Sequence, residues 1–212
     1  MTEQIVIFGG TFDPIHHGHL ITARAVAEYF GFRKVTFMPA KVPPHKGHTR
    51  RKSAPASDRL EMVRLAVAGS EMFDVSDIEI QRSGPSYTID TLTSLRRRYG
   101  HDADLYWIIG ADMLEDLPTW RNADEVIEMA RIITAARPPY SQRVPAVLEN
   151  LRNHFTSEQV DRLADGVVST PLIDISSTNI RRRLATGSKP IKYLTPDNVV
   201  DYIRKHCLYG AG

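Results

Sequence analysis

Ile5-Val-Ile-Phe-Gly-Gly-Thr-Phe-Asp-Pro-Ile-His-His-Gly-His19 is the stretch on which the fold turns. Its first four residues are apolar, β-branched or aromatic, and they run straight into Gly9-Gly10. A short apolar run bounded by glycine reads as a strand buried on both faces, as strands of a parallel sheet are. Leu20, Ala23, Ala27 and Phe30 then recur at helical spacing, and Gly31 supplies a stop. Strand, glycine-rich turn and helix thus follow in immediate succession.

The alternation continues down the chain. Val35 to Met38 reads as a second strand closed by Pro39, and Ser57 as the cap of a helix carrying Leu60, Val63, Ala66 and Val67. Phe73 to Ile80 reads as a third strand. Ile89, Leu92, Leu95 and Tyr99 mark a helix with Gly100 past its end, and Leu105 to Ile109 a strand ending at Gly110. A short helix over Val126 to Ala130, a strand over Ile132 to Ala135, a helix over Val144 to Phe155 and a last strand over Leu172 to Ile175 follow. Two helices close the chain, one near Ser177-Thr178 and one capped by Thr195 with Pro196 in its first turn. Strands alternating with helices predict an α/β fold, a Rossmann-like, mostly parallel sheet with helices on both faces. Ligands bind such sheets in the crevice beyond the carboxyl ends of the strands. The residues that matter most are therefore those just after strands.

The 212 residues suit a single domain spanning 1–212, with 42% hydrophobic and 25% charged residues. One cysteine, Cys207, excludes an internal disulfide and suits a reducing cytoplasm. Lys plus Arg, 27, less Asp plus Glu, 25, leaves +2, too small a surplus to imply nucleic acid as a partner. The acidic start and the brief apolar run Ile5 to Phe8 fit neither a signal peptide nor a membrane span.

Gly9 to His19 lacks the Gly-x-Gly-x-x-Gly of dinucleotide folds, and no Gly-Lys pair offers a Walker loop. The local physics still favours an anion. Glycines let backbone approach a phosphate, and a helix N-terminus behind them offers unpaired N–H groups. His16 and His19, three apart, would project from one face. A tight turn with surface histidines and a metal pair are the competing readings. Ile175-Ser-Ser-Thr-Asn-Ile-Arg181 is a second junction, where Ser177 or Thr178 could cap a helix and Arg181 reach an anion at its terminus. A capped amphipathic helix with a solvated basic face is the alternative. Lys41 to Lys52 contains no acid and reads either as a solvated loop or as a basic lid.

Together the two junctions resemble the nucleotidyltransferase α/β-phosphodiesterase superfamily. His16-His-Gly-His19, preceded by Gly-Gly-Thr-Phe-Asp-Pro, and Ile175-Ser-Ser-Thr-x-Ile-Arg181 carry that likeness. Within it, Pro43-Pro-His-Lys46, Ser86-Tyr-Thr-Ile-Asp-Thr91, Gly110-Ala-Asp112 and Leu117-Pro-Thr-Trp120 look like the pattern of the bacterial nicotinate-nucleotide adenylyltransferases. The resemblance implies transfer of the adenylyl group of ATP to nicotinate mononucleotide, giving deamido-NAD and pyrophosphate, by in-line attack with no covalent enzyme intermediate. By the same resemblance His16, His19 and Arg181 are catalytic. Gly9, Gly10, Thr11 and Phe12 cradle the nucleotide with main-chain atoms, and Ser177, Thr178 and Arg181 hold the adenosine side and the outgoing pyrophosphate. Read as a lid, the basic loop would bring Lys46 and His45 to the triphosphate. Mg²⁺ is expected on the ATP phosphates rather than in a protein cage.

His45, Tyr87, Thr88, Asp112 and Trp120 fall to the nicotinate mononucleotide. An indole face attracts a pyridinium ring, and backbone N–H groups where Ser86-Tyr87-Thr88 opens a helix could hold its carboxylate. Nicotinamide mononucleotide or phosphopantetheine as acceptor is the alternative within the superfamily. A non-catalytic nucleotide- or RNA-binding module is the alternative outside it, supported only by the basic residues at 41–52 and 181–192.

Overall fold

The computed structural model describes residues 2–44, 53–137, 140–187 and 189–210. Six strands, β1 (Gln4–Gly10), β2 (Val35–Pro39), β3 (Phe73–Val75), β4 (Asp104–Gly110), β5 (Arg131–Ala136) and β6 (Val167–Ser169), form one sheet in the order β3-β2-β1-β4-β5-β6. Every pairing is parallel, with Phe8 opposite Phe37 on one side and Ile108 on the other. The strand order reverses between β1 and β4, and both of these strands end in glycine, Gly10 and Gly110. That reversal opens the ligand crevice of doubly wound sheets.

Alternate residues of the strands serve two cores. Val6, Phe8, Phe37 and Ile108 pack under α1 (His17–Phe30), α2 (Ala56–Val67) and the C-terminal helices. Ile7, Trp107 and Ile109 pack on the opposite face, under α4 (Thr88–Tyr99), α6 (Ala123–Met129) and α8 (Ser157–Asp165). The α/β expectation, with helices on both faces, is met. Gly31 ends α1 at φ 71°, where its N–H reaches the Ala27 carbonyl, as its place in the sequence predicts.

Several local expectations are corrected. β3 stops at Val75, the last residue paired with β2, where the Ser76 N–H makes the final ladder bond to the Phe37 carbonyl and the chain turns into α3 (Ile78–Gln81). The alternation that suggested strand to Ile80 continues into a helical turn, which buries Glu79 rather than an apolar residue. The last strand is β6 and not Leu172–Ile175, whose Leu172 is 67% exposed and which follows a proline that cannot donate to a ladder. The helix begun at Val144 is α7 (Val144–Leu151), and α8 starts anew where Thr156 and Gln159 form a capping box.

Three caps also differ. Pro55, not Ser57, precedes α2. Ser176 caps α9 (Ser177–Thr186), its hydroxyl accepting the Asn179 N–H at 3.2 Å. Pro196 precedes α10 (Asp197–Lys205), while Thr195 is wholly buried and turned to the first junction. The remaining helix, α5 (Ala111–Glu115), begins immediately beyond β4. No helix among the described residues is long and apolar enough to cross a membrane.

Candidate functional site

The loop between β1 and α1 is held by residues from the far end of the chain. Arg181 Nη1 donates to the Asp13 carbonyl at 2.6 Å, Ser177 Oγ to the Pro14 carbonyl at 2.9 Å and Thr195 Oγ1 to the Ile15 carbonyl at 2.8 Å. The His17 N–H donates to the Leu194 carbonyl at 3.0 Å, and the Tyr209 hydroxyl donates to Asp13 Oδ1 at 2.7 Å. The two junction motifs are thus one structure. From the other side Arg59, only 2% exposed, donates to the carbonyls of Thr11 (2.7 Å), Lys41 (3.0 Å) and Ala54 (3.2 Å). Asp13 completes this anchor by accepting the Ala54 N–H at 3.0 Å and the Ser53 hydroxyl at 2.9 Å.

His16 caps α1 on extended backbone, and its ring lies on that of His19 with centroids 3.7 Å apart. The His16 N–H donates to His19 Nδ1 at 3.2 Å. A neutral ring that accepts at Nδ1 carries its proton on Nε2. Burial, the Arg137 charge and the His17 charge, in that order, push His16 down to about 3. Its imidazole is therefore neutral at ordinary pH, a hydrogen-bonding group and not a cation. His16 Nδ1 has no hydrogen-bond partner among the described residues. Gly18 permits this packing, since a Cβ there would lie 3.0 Å from the His16 ring.

Two cavities flank the switch point. The first, about 340 Å³, is lined by His16, His19, Thr22, Arg137, Thr170 and Ser176 among others. The Arg137 guanidinium is fixed by its bond to the Ile173 carbonyl at 2.5 Å. The second, about 320 Å³, is lined by Pro43, Glu79, Ser86, Thr88, Trp107 and Trp120 among others. The Trp107 ring packs close against β1 because Gly9 has no side chain, and a Cβ there would meet that ring at 2.5 Å. Both cavities include Gly10, Gly110 and Met113, so they meet at the ends of β1 and β4.

Their electrostatics differ. Two histidines, an arginine and the amide end of α9 face the first, with Asp112 as the carboxylate among its described lining, a setting for a polyanion. Among its described lining the second has no lysine, arginine or histidine, and it has two tryptophans with the carboxylates of Glu79 and Asp116. That combination favours an aromatic cation.

The cytidylyltransferase-like family model matches residues 7–183. A probable nicotinate-nucleotide adenylyltransferase from Thermoanaerobacter sp. (strain X514) is 43% identical over 207 residues, covering 97% of this chain and 94% of its own. One from Marinobacter nauticus is 42% identical over 212 residues, covering 97% and 96%. The chain belongs to the nicotinate-nucleotide adenylyltransferase family. Its fold is also that of the Plasmodium falciparum nicotinic acid mononucleotide adenylyltransferase solved in complex with NaAD, with a TM-score of 0.75 at 17% identity over 99% of this chain and 98% of that one.

Read as an adenylyltransferase, the chain gathers some expected residues and disperses others. His16, His19, Gly10 and Ser177 border the first cavity, and Gly9, Gly10, Thr11, Thr88 and Trp120 the second. Asp112, expected beside the mononucleotide, instead borders the first cavity, because α5 turns it back over Gly110. Tyr87 lines neither, and its ring packs under the Arg121 guanidinium at 5.0 Å. Phe12 is 3% exposed, with its ring in an aromatic cluster with Phe8, Phe37 and His19.

Arg181 and Thr178 bond to one another at 3.2 Å, and Arg181 lines a separate cavity with Ser53, Ala54 and Tyr209. His45 and Lys46 lie outside the described residues. Sequence reasoning missed Arg59, Asp13, Glu79 and Arg137. Only Arg137 had a findable signal, since it directly follows β5 on the carboxyl side of the sheet.

Proposed function

We propose that the protein transfers the adenylyl group of ATP to nicotinate mononucleotide, releasing pyrophosphate and forming deamido-NAD. The observation that carries this reading is the pair of cavities joined at Gly10, Gly110 and Met113, one suited to a polyanion and the other to an aromatic cation. An oxygen of the mononucleotide phosphate attacks the α-phosphorus of ATP, a new P–O bond forms, and the bond to the β-phosphate oxygen breaks. Such a transfer needs positioning and charge stabilisation more than covalent chemistry.

His19 and neutral His16 serve as hydrogen-bonding groups for the α-phosphate, with Arg137 as the cation beside them. Ser177 and the amide end of α9 take the adenosine side, and the backbone of Gly9, Gly10 and Thr11 lies between donor and acceptor. Arg181, with Thr178, stands where the first junction meets Ser53, and we assign it, together with Lys46, to the departing pyrophosphate. On the acceptor side Trp120 stacks on the pyridinium ring, the amides at Thr88 take the carboxylate, and His45 approaches the phosphate end. Bound with ATP, Mg²⁺ would offset charge on its phosphates. The lone, exposed Cys207 suits a reducing compartment, and we place the reaction in the cytoplasm.

Steady-state kinetics of Trp120→Ala test the acceptor assignment. KM for the mononucleotide should rise about tenfold, the loss of a desolvated cation–π contact, with KM for ATP unchanged. Equal rises in both constants would make Trp120 a packing residue and remove it from the site.

A further inference from the structure

Glu79 is a carboxylate in the wall of the second cavity, 4% exposed, on the short helix α3. Such a group is retained only when its oxygens are well bonded. It accepts the Thr91 hydroxyl at 2.7 Å, and the Ser86 hydroxyl lies beside it in the same wall and favours its charged form. Ser86 then joins two walls, since its Oγ accepts the Lys41 N–H at 2.9 Å and its N–H donates to the Val42 carbonyl at 2.9 Å. Lys41 is fixed in turn, its carbonyl by Arg59 at 3.0 Å and its Nζ on the Arg82 carbonyl at 2.9 Å.

One buried carboxylate therefore ties together the segment after β2, the turn that opens α4, and the first turns of α4 through Thr91. Burial pushes the Glu79 carboxyl up, while the two hydroxyls and the Arg82 charge pull it down.

We propose that Glu79 is a positioning residue for the acceptor: through Ser86 it sets the amide end of α4 against residues 40–44, so that the acceptor's cavity is formed before the acceptor arrives. The inference rests on reading the second cavity as the acceptor's. Glu79 touches the substrate only through the groups it holds. Without it Ser86 loses the partner that fixes its hydroxyl, and the acceptor must then order the turn as it binds. ATP, on the other side of Gly10 and Gly110, meets none of these groups.

The test is steady-state kinetics on the full chain as wild type, Glu79→Gln, Ser86→Ala and the double variant, varying nicotinate mononucleotide and ATP in turn, with melting curves to verify folding. In each single variant KM for the mononucleotide should rise about tenfold, as expected for a lost buried bond to a charged group. KM for ATP and kcat should stay within about twofold. The double variant should resemble the singles, since both act through one chain of contacts. An unchanged mononucleotide KM in folded variants overturns the proposal. Parallel rises in both KM values, or multiplicative effects in the double variant, do the same. Should Glu79→Gln fail to fold, Ser86→Ala decides alone. If wild type rejects nicotinate mononucleotide but uses its amide, the reading of the acceptor fails, and the same KM comparison on the amide still decides the role of Glu79.

Discussion

Replacing His19 by alanine should lower adenylyl transfer by about 10²–10³-fold in a protein that still folds, the cost of one preorganised group facing transition-state charge. The ring is held for that task. It lies on His16 at 3.7 Å, stands edge-on to Phe12 at 5.0 Å and takes the His16 N–H on Nδ1. Removing it leaves one backbone N–H at the start of α1 without its partner, a cost of about 1–2 kcal/mol, which a large domain tolerates. The measurement is pyrophosphate release at saturating substrates, paired with a melting curve. A loss of less than tenfold in kcat would contradict the assignment of His19 to the reacting phosphate.

Arg59→Ala should have the largest effect on stability. The guanidinium is buried and donates to three carbonyls from three separate segments, at Thr11, Lys41 and Ala54, beside the Asp13 carboxylate. Truncation leaves those three acceptors without their donor, leaves Asp13 with Arg181 alone as its cation at 3.7 Å, and leaves space behind. Breaking such a buried arrangement costs about 3–5 kcal/mol. For a chain of this length about 3 kcal/mol corresponds to a fall in Tm of roughly 6–12 °C. Differential scanning calorimetry measures it. A shift under about 2 °C would mean that water or relaxation replaces the guanidinium.

The sheet and its ligand crevice were legible because their signals are local. An apolar run ending in glycine and a helical repeat ending at Gly31 each report their own segment. β6 and α3 were missed because three or four residues carry too little periodicity to compete with the neighbouring apolar run Leu172–Ile175 or the partial alternation through Ile80. α8 was legible and overlooked, since Thr156-Ser-Glu-Gln159 spells its capping box.

The site divides in the same way. His16, His19 and Thr88 stand out by type and by position after a strand or at a helix start, and Trp120 by type alone. Arg59, Asp13 and Glu79 do not. Their partners are carbonyls, hydroxyls and a backbone N–H, most of them from remote segments, and a charged residue in an amphipathic pattern reads as surface until the fold brings those partners to it. Asp112 fell into the other cavity for a related reason. Its place in the sequence shows that it follows β4, but not which way α5 turns it.

The central claim is the pairing of a polyanion cavity with an acid-bearing pyridinium cavity across Gly10 and Gly110. Its most direct test is pyrophosphate release with Mg-ATP and, in turn, nicotinate mononucleotide, nicotinamide mononucleotide and phosphopantetheine. The account predicts strong turnover with nicotinate mononucleotide, little with the amide and none with phosphopantetheine. Preference for either of the other two acceptors, or no release with any, would contradict it.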